Sequence, residues 1–293
     1  MSNNNPSTKP NNVSKLAAVV GPRNPEPSLA TDRANTDRML KHRGKDMRYV
    51  PSEKQFRVYD GTRWIPDETR QVQKWGRETL RSIYIEAANE PNDDRRIALS
   101  KWGINSEKGQ RLEYMLEGVR DFTATAVTDF DKDGDLLNCR NGTLNLTTGE
   151  LSKHRRGDLI TKIVDADYDD KAECPLWLRH LEMVLPDPEV RRFLQRALGS
   201  SLLGRVVDEV LYFLYGLGAN GKSVTINTIQ NLLFDYAMTA ASSLLTSSRS
   251  GNDDPAAVAG LRGARFVSTI DRQEDGKRFS ESQLKQIVSR DKL

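Results

Sequence analysis

Two hydrophobic spacings take turns along the chain, and each change of period outlines an element. Phe56-Arg57-Val58-Tyr59, Asp60-Gly61 and Thr62-Arg63-Trp64-Ile65 have period two around a dipeptide that tolerates positive φ, which predicts a β-hairpin. After Pro66 the period lengthens. Val72, Trp75, Thr79, Ile83 and Ala87 fall on one helical face, and Leu112, Met115, Leu116 and Val119 mark a second helix. Leu136 to Leu151 alternates again around Asn141-Gly142 and Thr148-Gly149, as a small antiparallel meander does.

Cys174-Pro175-Leu176-Trp177 opens a helical stretch with Leu178, Leu181 and Val184 on one side, closed by Pro186 and Pro188. Phe193, Leu194, Ala197 and Leu198 then predict another helix, with Gly199 and Gly204 near helix ends. These positions read as the core of a packed collar. Val210 to Tyr215 is a continuous apolar run, the signature of a strand buried on both faces. Val224, Ile226, Ile229, Leu232 and Leu233 have helical spacing, and Ala264 to Ile270 predicts a further strand. The resulting division is a lead over residues 1–35, a mixed α+β domain over 36–150, a helical collar over 151–205 and a strand, loop and helix region over 206–293. The Asn/Pro-rich composition of residues 1–31 predicts disorder.

Composition narrows the picture. No run approaches the roughly 20 apolar residues of a membrane span, and the polar N-terminus lacks the apolar core of a secretory signal, so an intracellular protein is expected. Cys139 and Cys174 are too few for a disulfide framework, and His42, His154 and His180 are too scattered for a zinc site, reading instead as surface or packing residues. The net charge of +3 belongs to the front of the chain, where residues 1–50 hold nine Lys/Arg against four Asp/Glu. The other 243 residues carry 35 against 37, which offers no DNA-binding face. Asp129, Asp131, Asp133 and Gly134 imitate the start of a calcium loop, but Arg140 stands where the bidentate Glu belongs, so an acidic turn is expected.

The chemistry concentrates at Gly216-Leu217-Gly218-Ala219-Asn220-Gly221-Lys222-Ser223, which fits G-x-x-x-x-G-K-[ST] at every fixed position. Glycines let backbone N–H groups turn inward around phosphates, and a helix starting beside them adds its positive end. Lys222 is expected to reach the β- and γ-phosphates of ATP, and the Ser223 hydroxyl to hold Mg²⁺. A second acidic element is expected at the end of another buried strand. Asp271 is the candidate for the Mg²⁺ shell and Glu274 for the water-activating base, although both also read as solvated loop charges.

These residues resemble the superfamily III helicases of phage and plasmid primase–helicases, of the satellite-phage and poxvirus type. Besides 216–223, the stretch Asn141 to Gly149 resembles that family's NG-x-L-x-L-x-TG segment and Phe193 to Gly199 its FLQRALG helix. The segment from Gly276 through Gln286 is similar to the stretch after its second acidic motif.

The resemblance implies an α/β fold, a partial AAA+-like P-loop ATPase core preceded by a mixed α+β and helical domain. It also implies movement on single-stranded or origin DNA in the cytoplasm of a bacterial or phage-infected cell, by a homo-oligomer, usually a hexameric ring. Lys222 and Ser223 take the nucleotide and metal roles, Lys222, Asp271 and Glu274 the catalytic ones, with Asp271 in place of the usual Glu. Family members continue into a sensor strand, a basic hairpin and an arginine finger, so residues 1–293 are expected to hydrolyse little ATP. Two other readings stay open: a non-catalytic nucleotide-binding or interfering subunit, and a small-molecule kinase.

Overall fold

The computed structural model describes residues 29–241, 260–269 and 285. Its backbone divides into two units, described in turn.

The first unit, over residues 29–44 and 70–123, holds four helices: α1 (Asp32–Arg43), α2 (Gln71–Asn89), α3 (Asp93–Ser106) and α4 (Gly109–Thr123). Val72, Thr79, Ile83 and Ala87 of α2 and Leu112, Met115, Leu116 and Val119 of α4 are buried, as their spacing predicts. The helices approach closely at Gly76, where a Cβ would stand 2.7 Å from Leu112 Cδ1. A buried polar chain completes the packing. Arg38 ion-pairs with Glu86 at 2.7 Å, and its Nη1 donates to Asn35 Oδ1 at 3.0 Å. Trp102 Nε1 donates to the same oxygen, and Asn35 Nδ2 donates to Ser106 Oγ.

Two features depart from the sequence reading. The helix α1 starts inside the segment assigned to a disordered lead. Thr31 caps it by accepting from the Ala34 N–H at 3.1 Å, and Asn35, Arg38 and Met39 are buried, which together offset the ordering entropy. Helix α3 was not foreseen, because only Leu99, Gly103 and Ser106 are buried and no broad apolar stripe marks it. Its local signal is the Asn92 cap, whose Oδ1 accepts from the Arg95 N–H.

The second unit, over residues 45–69 and from 124 on, opens with the sheet β1 (Met47–Val50), β2 (Gln55–Tyr59) and β3 (Trp64–Pro66), antiparallel throughout. The Asp60-Gly61 turn forms as expected, with Gly61 at φ +109° and Asp60 Oδ1 accepting from the Thr62 and Arg63 N–H groups. Pairing of Arg48 with Arg57 and of Tyr59 with Trp64 puts these four on one face. There Val50, Trp64 and Phe130 form a small core, and the guanidiniums of Arg48 and Arg57 lie over the Trp64 and Phe130 rings.

The predicted meander is the sheet β4 (Leu136–Cys139), β5 (Gly142–Asn145) and β6 (Leu151–Ser152). Helices α5 (Pro175–Val184), α6 (Pro188–Ser201) and α7 (Lys222–Leu233) follow, then the parallel pair β7 (Ala237–Ala240) and β8 (Phe266–Thr269). One core joins them, with Leu137, Cys139 and Leu144 meeting Val164, Ile229, Leu233 and Tyr236.

Among the described residues this is a mixed α/β fold of small sheets, and the expected ATPase sheet is not seen. Val210 to Tyr215 forms no strand, and Tyr215 is 91% exposed. A parallel strand exists only through hydrogen bonds to a neighbour, and no described strand pairs with this run. The collar is likewise less buried than its leucines suggest. Leu176 and Phe193 are 81% and 54% exposed, and Leu181 alone of α5 and α6 is fully buried. Their amphipathic spacing makes helices, but the described chain covers the apolar face only in part, at Trp177, Leu181 and Leu198. Among the described residues no helix is long and apolar enough to cross a membrane.

Candidate functional site

The segment 216–223 runs into α7, whose first residue is Lys222 and whose cap is Gly221. Three residues turn the backbone through positive φ: Gly216 at +147°, Ala219 at +59° and Gly221 at +80°. The first and last are conformations that favour glycine. Lys222 folds back into the loop, with Nζ donating to Asn220 Oδ1 at 2.7 Å and to the Gly216 carbonyl at 3.1 Å. The loop therefore closes around its own ammonium group. Gly218 has no heavy atom within 4 Å of where its Cβ would be, so its backbone is open to close approach. Ser223 is exposed in the first turn of α7, beside N–H groups that have no intrahelical acceptor. Glycine conformations, an inward lysine, an exposed hydroxyl and a helix start are a donor set suited to an anionic ligand and its counterion.

The sequence-predicted site residues are brought together only in part. Gly216, Leu217, Gly218, Ala219, Asn220, Gly221, Lys222 and Ser223 form one loop. Asp271 and Glu274 lie outside the described residues, although β8, which precedes them, forms within the predicted strand. Asp131 belongs to the acidic turn. Its two carboxylate oxygens accept from the N–H and hydroxyl of Thr161.

Two side-chain groups escaped the sequence reading. One lies under the loop, where His180 Nε2 on α5 is 3.0 Å from Thr225 Oγ1 on α7. The other is Asn138, fully buried on β4. Its Nδ2 donates to the Thr62 and Lys162 carbonyls at 3.2 and 3.0 Å, which fixes the amide's orientation. Oδ1 then accepts from Thr143 Oγ1 at 3.2 Å and from His154 Nδ1 at 2.8 Å. Its peptide N–H donates to the Tyr236 hydroxyl, and its carbonyl accepts from the Val164 N–H. Beside it, burial pushes the Cys139 thiol up to about 11 and the Tyr236 phenol up to about 12. Neither group announces itself by spacing. His180 and Asn138 sit in segments whose apolar positions carry the pattern.

Residues 36–186 match the family model described as D5 N terminal like, just over half of the chain and a stretch that ends before the loop. The chain is also similar to a protein of Acanthamoeba polyphaga mimivirus named "Putative helicase L207/L206". The two are 28% identical over 129 residues, which is 42% of this chain and 13% of that protein.

Proposed function

The chain belongs to the D5 N terminal like family, and we propose that it is a helicase-type ATPase of phage or plasmid replication that binds ATP with Mg²⁺ at Gly216–Ser223. One observation carries the reading: an unbroken G-x-x-x-x-G-K-[ST] segment turns through positive φ at Gly216 and Gly221 and delivers Lys222 to the start of α7. In this reading Lys222 leaves Asn220 and Gly216 for the phosphates, and Ser223 offers its hydroxyl to the metal. ATP supplies the phosphoryl chemistry when bound. The chain's part is to hold its charge between backbone donors and an ammonium group. Asp271 is proposed for the metal shell and Glu274 for orienting water. The matched protein's name supports a helicase reading, and the sequence resemblance extends it to movement on single-stranded DNA by a ring of identical copies.

The test is binding of a fluorescent ATP analogue to the 293-residue chain with and without Mg²⁺. Lys222→Ala should weaken binding sharply, since truncating one partner of a desolvated charge pair costs roughly 2–5 kcal/mol. Asp271→Asn should reduce the dependence on Mg²⁺ and keep the fold. Equal binding by the wild type and Lys222→Ala would remove the site. Tight binding without turnover in the presence of single-stranded DNA would favour a nucleotide-binding, non-catalytic subunit.

A further inference from the structure

Gly221 is the point of the loop confined from outside it, and the confinement comes from α5. With φ at +80°, a Cβ on this residue would stand 2.4 Å from Val184 Cγ1 and 3.1 Å from His180 Cε1. The same histidine puts Nε2 3.0 Å from Thr225 Oγ1, and that oxygen lies 3.1 Å from the Gly221 carbonyl one turn back. Proton bookkeeping settles the direction. A carbonyl only accepts, so the single hydroxyl proton of Thr225 goes to Gly221, and Thr225 Oγ1 accepts from His180 Nε2–H. Thr225 is 4% exposed, so little water competes for the relay. Trp177 stacks against the imidazole, ring centroids 5.8 Å apart and planes 27° from parallel, which holds the ring in the plane the relay needs.

We infer that His180 is the positioning residue of the phosphate loop: through Thr225 it fixes the Gly221 peptide, and with it the direction of the Lys222 and Ser223 N–H groups. The inference rests on the proposed nucleotide site for what the loop binds, but the relay itself exists without a ligand. A histidine that merely packs needs its bulk, whereas this role needs a donor at Nε2. Phenylalanine keeps the ring and its stack on Trp177 while losing the donor. Glutamine loses the ring and keeps an N–H at similar reach.

Two measurements on the 293-residue chain separate these roles. The Thr225 amide donates to the Gly221 carbonyl at 2.9 Å, so its hydrogen exchange in nucleotide-free protein reports the relay, with α4 as internal reference. Affinity for a fluorescent ATP analogue with Mg²⁺ reports the loop. His180→Phe should speed exchange at Thr225 while leaving α4 unchanged, and should weaken nucleotide binding about three- to tenfold, the worth of one buried hydrogen bond. His180→Gln should restore both readouts. Thr225→Val should match His180→Phe, and the double variant should be no worse than either. Unchanged Thr225 exchange in His180→Phe, or identical behaviour of the Phe and Gln variants, overturns the inference. If the wild type binds no nucleotide while exchange follows the expected pattern, the nucleotide reading fails and the relay stands.

Discussion

The side chain of Asn138 spends its whole hydrogen-bonding capacity on protein atoms, while the loop at Gly216–Ser223 keeps most of its capacity outward. At Asn138 two donors and two acceptances are matched to four partners in a site closed to water. At the loop Lys222 is satisfied by Asn220 and Gly216, neighbours in the same short segment, and Gly218 faces open space. A buried polar group that loses a partner has no water to replace it, whereas an exposed one does. The first arrangement is costly to disturb and the second is cheap, as the proposed nucleotide site requires.

Four experiments break or sharpen that contrast. Asn138→Leu should do the most damage, because the Thr62 carbonyl, the Thr143 hydroxyl and the His154 Nδ1–H lose this partner together, and the Lys162 carbonyl keeps only the Tyr236 hydroxyl at 3.4 Å. A loss of about 3 kcal/mol or more is expected, at 1–3 kcal/mol per stranded group, read by thermal or urea unfolding. A melting temperature within about 2 °C of wild type would deny the hub its structural weight. Gly221→Ala should come next, at about 1–2 kcal/mol for a side chain forced into the left-handed region. Adding Val184→Ala should recover the part due to contact and not the part due to φ.

The third effect is smaller near neutrality and grows with pH. Burial raises the Cys139 thiol from near 9 to about 11 and the Tyr236 phenol from near 10 to about 12. The folded chain therefore keeps protons that the unfolded chain releases, so their contribution is fully present below pH 9. It should be lost as pH rises, first through 9–11 for Cys139 and then through 10–12 for Tyr236. Cys139→Ser should flatten the lower part of that profile, seen as the urea midpoint against pH. Lys222→Ala should move stability least, within about 0.5 kcal/mol as for other exposed substitutions, while removing nucleotide binding. A large loss of stability would mean that the lysine props up the loop rather than waiting for a ligand.

Elements whose apolar positions face one partner layer were legible. The Asp60-Gly61 hairpin, α2 through Val72 and Ile83, and the β4–β6 meander follow from period and turn chemistry alone. Where burial depends on a partner the pattern misleads. Val210 to Tyr215 has the composition of a central strand and no described strand paired with it, and Phe193 has helical spacing but stays 54% exposed, meeting only the edge of the Tyr212 ring among the described aromatic contacts. The backbone turns of the glycine loop were legible because its residue types answer to local conformation: Gly216 and Gly221 are glycine where φ is positive. His180 and Asn138 were not, because what defines them is a hydrogen bond to a residue 45 positions away in the first case and 76 in the second. No local period encodes such a distance.

The hub at Asn138 also has a consequence in time. Its partners lie 76, 24, 5, 16 and 98 residues away along the chain, for Thr62, Lys162, Thr143, His154 and Tyr236. Thr143 and His154 arrive with the local hairpins, within the microseconds such closures take. Thr62 and Tyr236 require two long closures whose entropy is lost before the bonds repay it. Until both are in place, the side-chain amide has one of its two acceptors, the Lys162 carbonyl, and the peptide N–H lacks the Tyr236 hydroxyl. The separations therefore place the contacts to Thr62 and Tyr236 last in the expected order of closure.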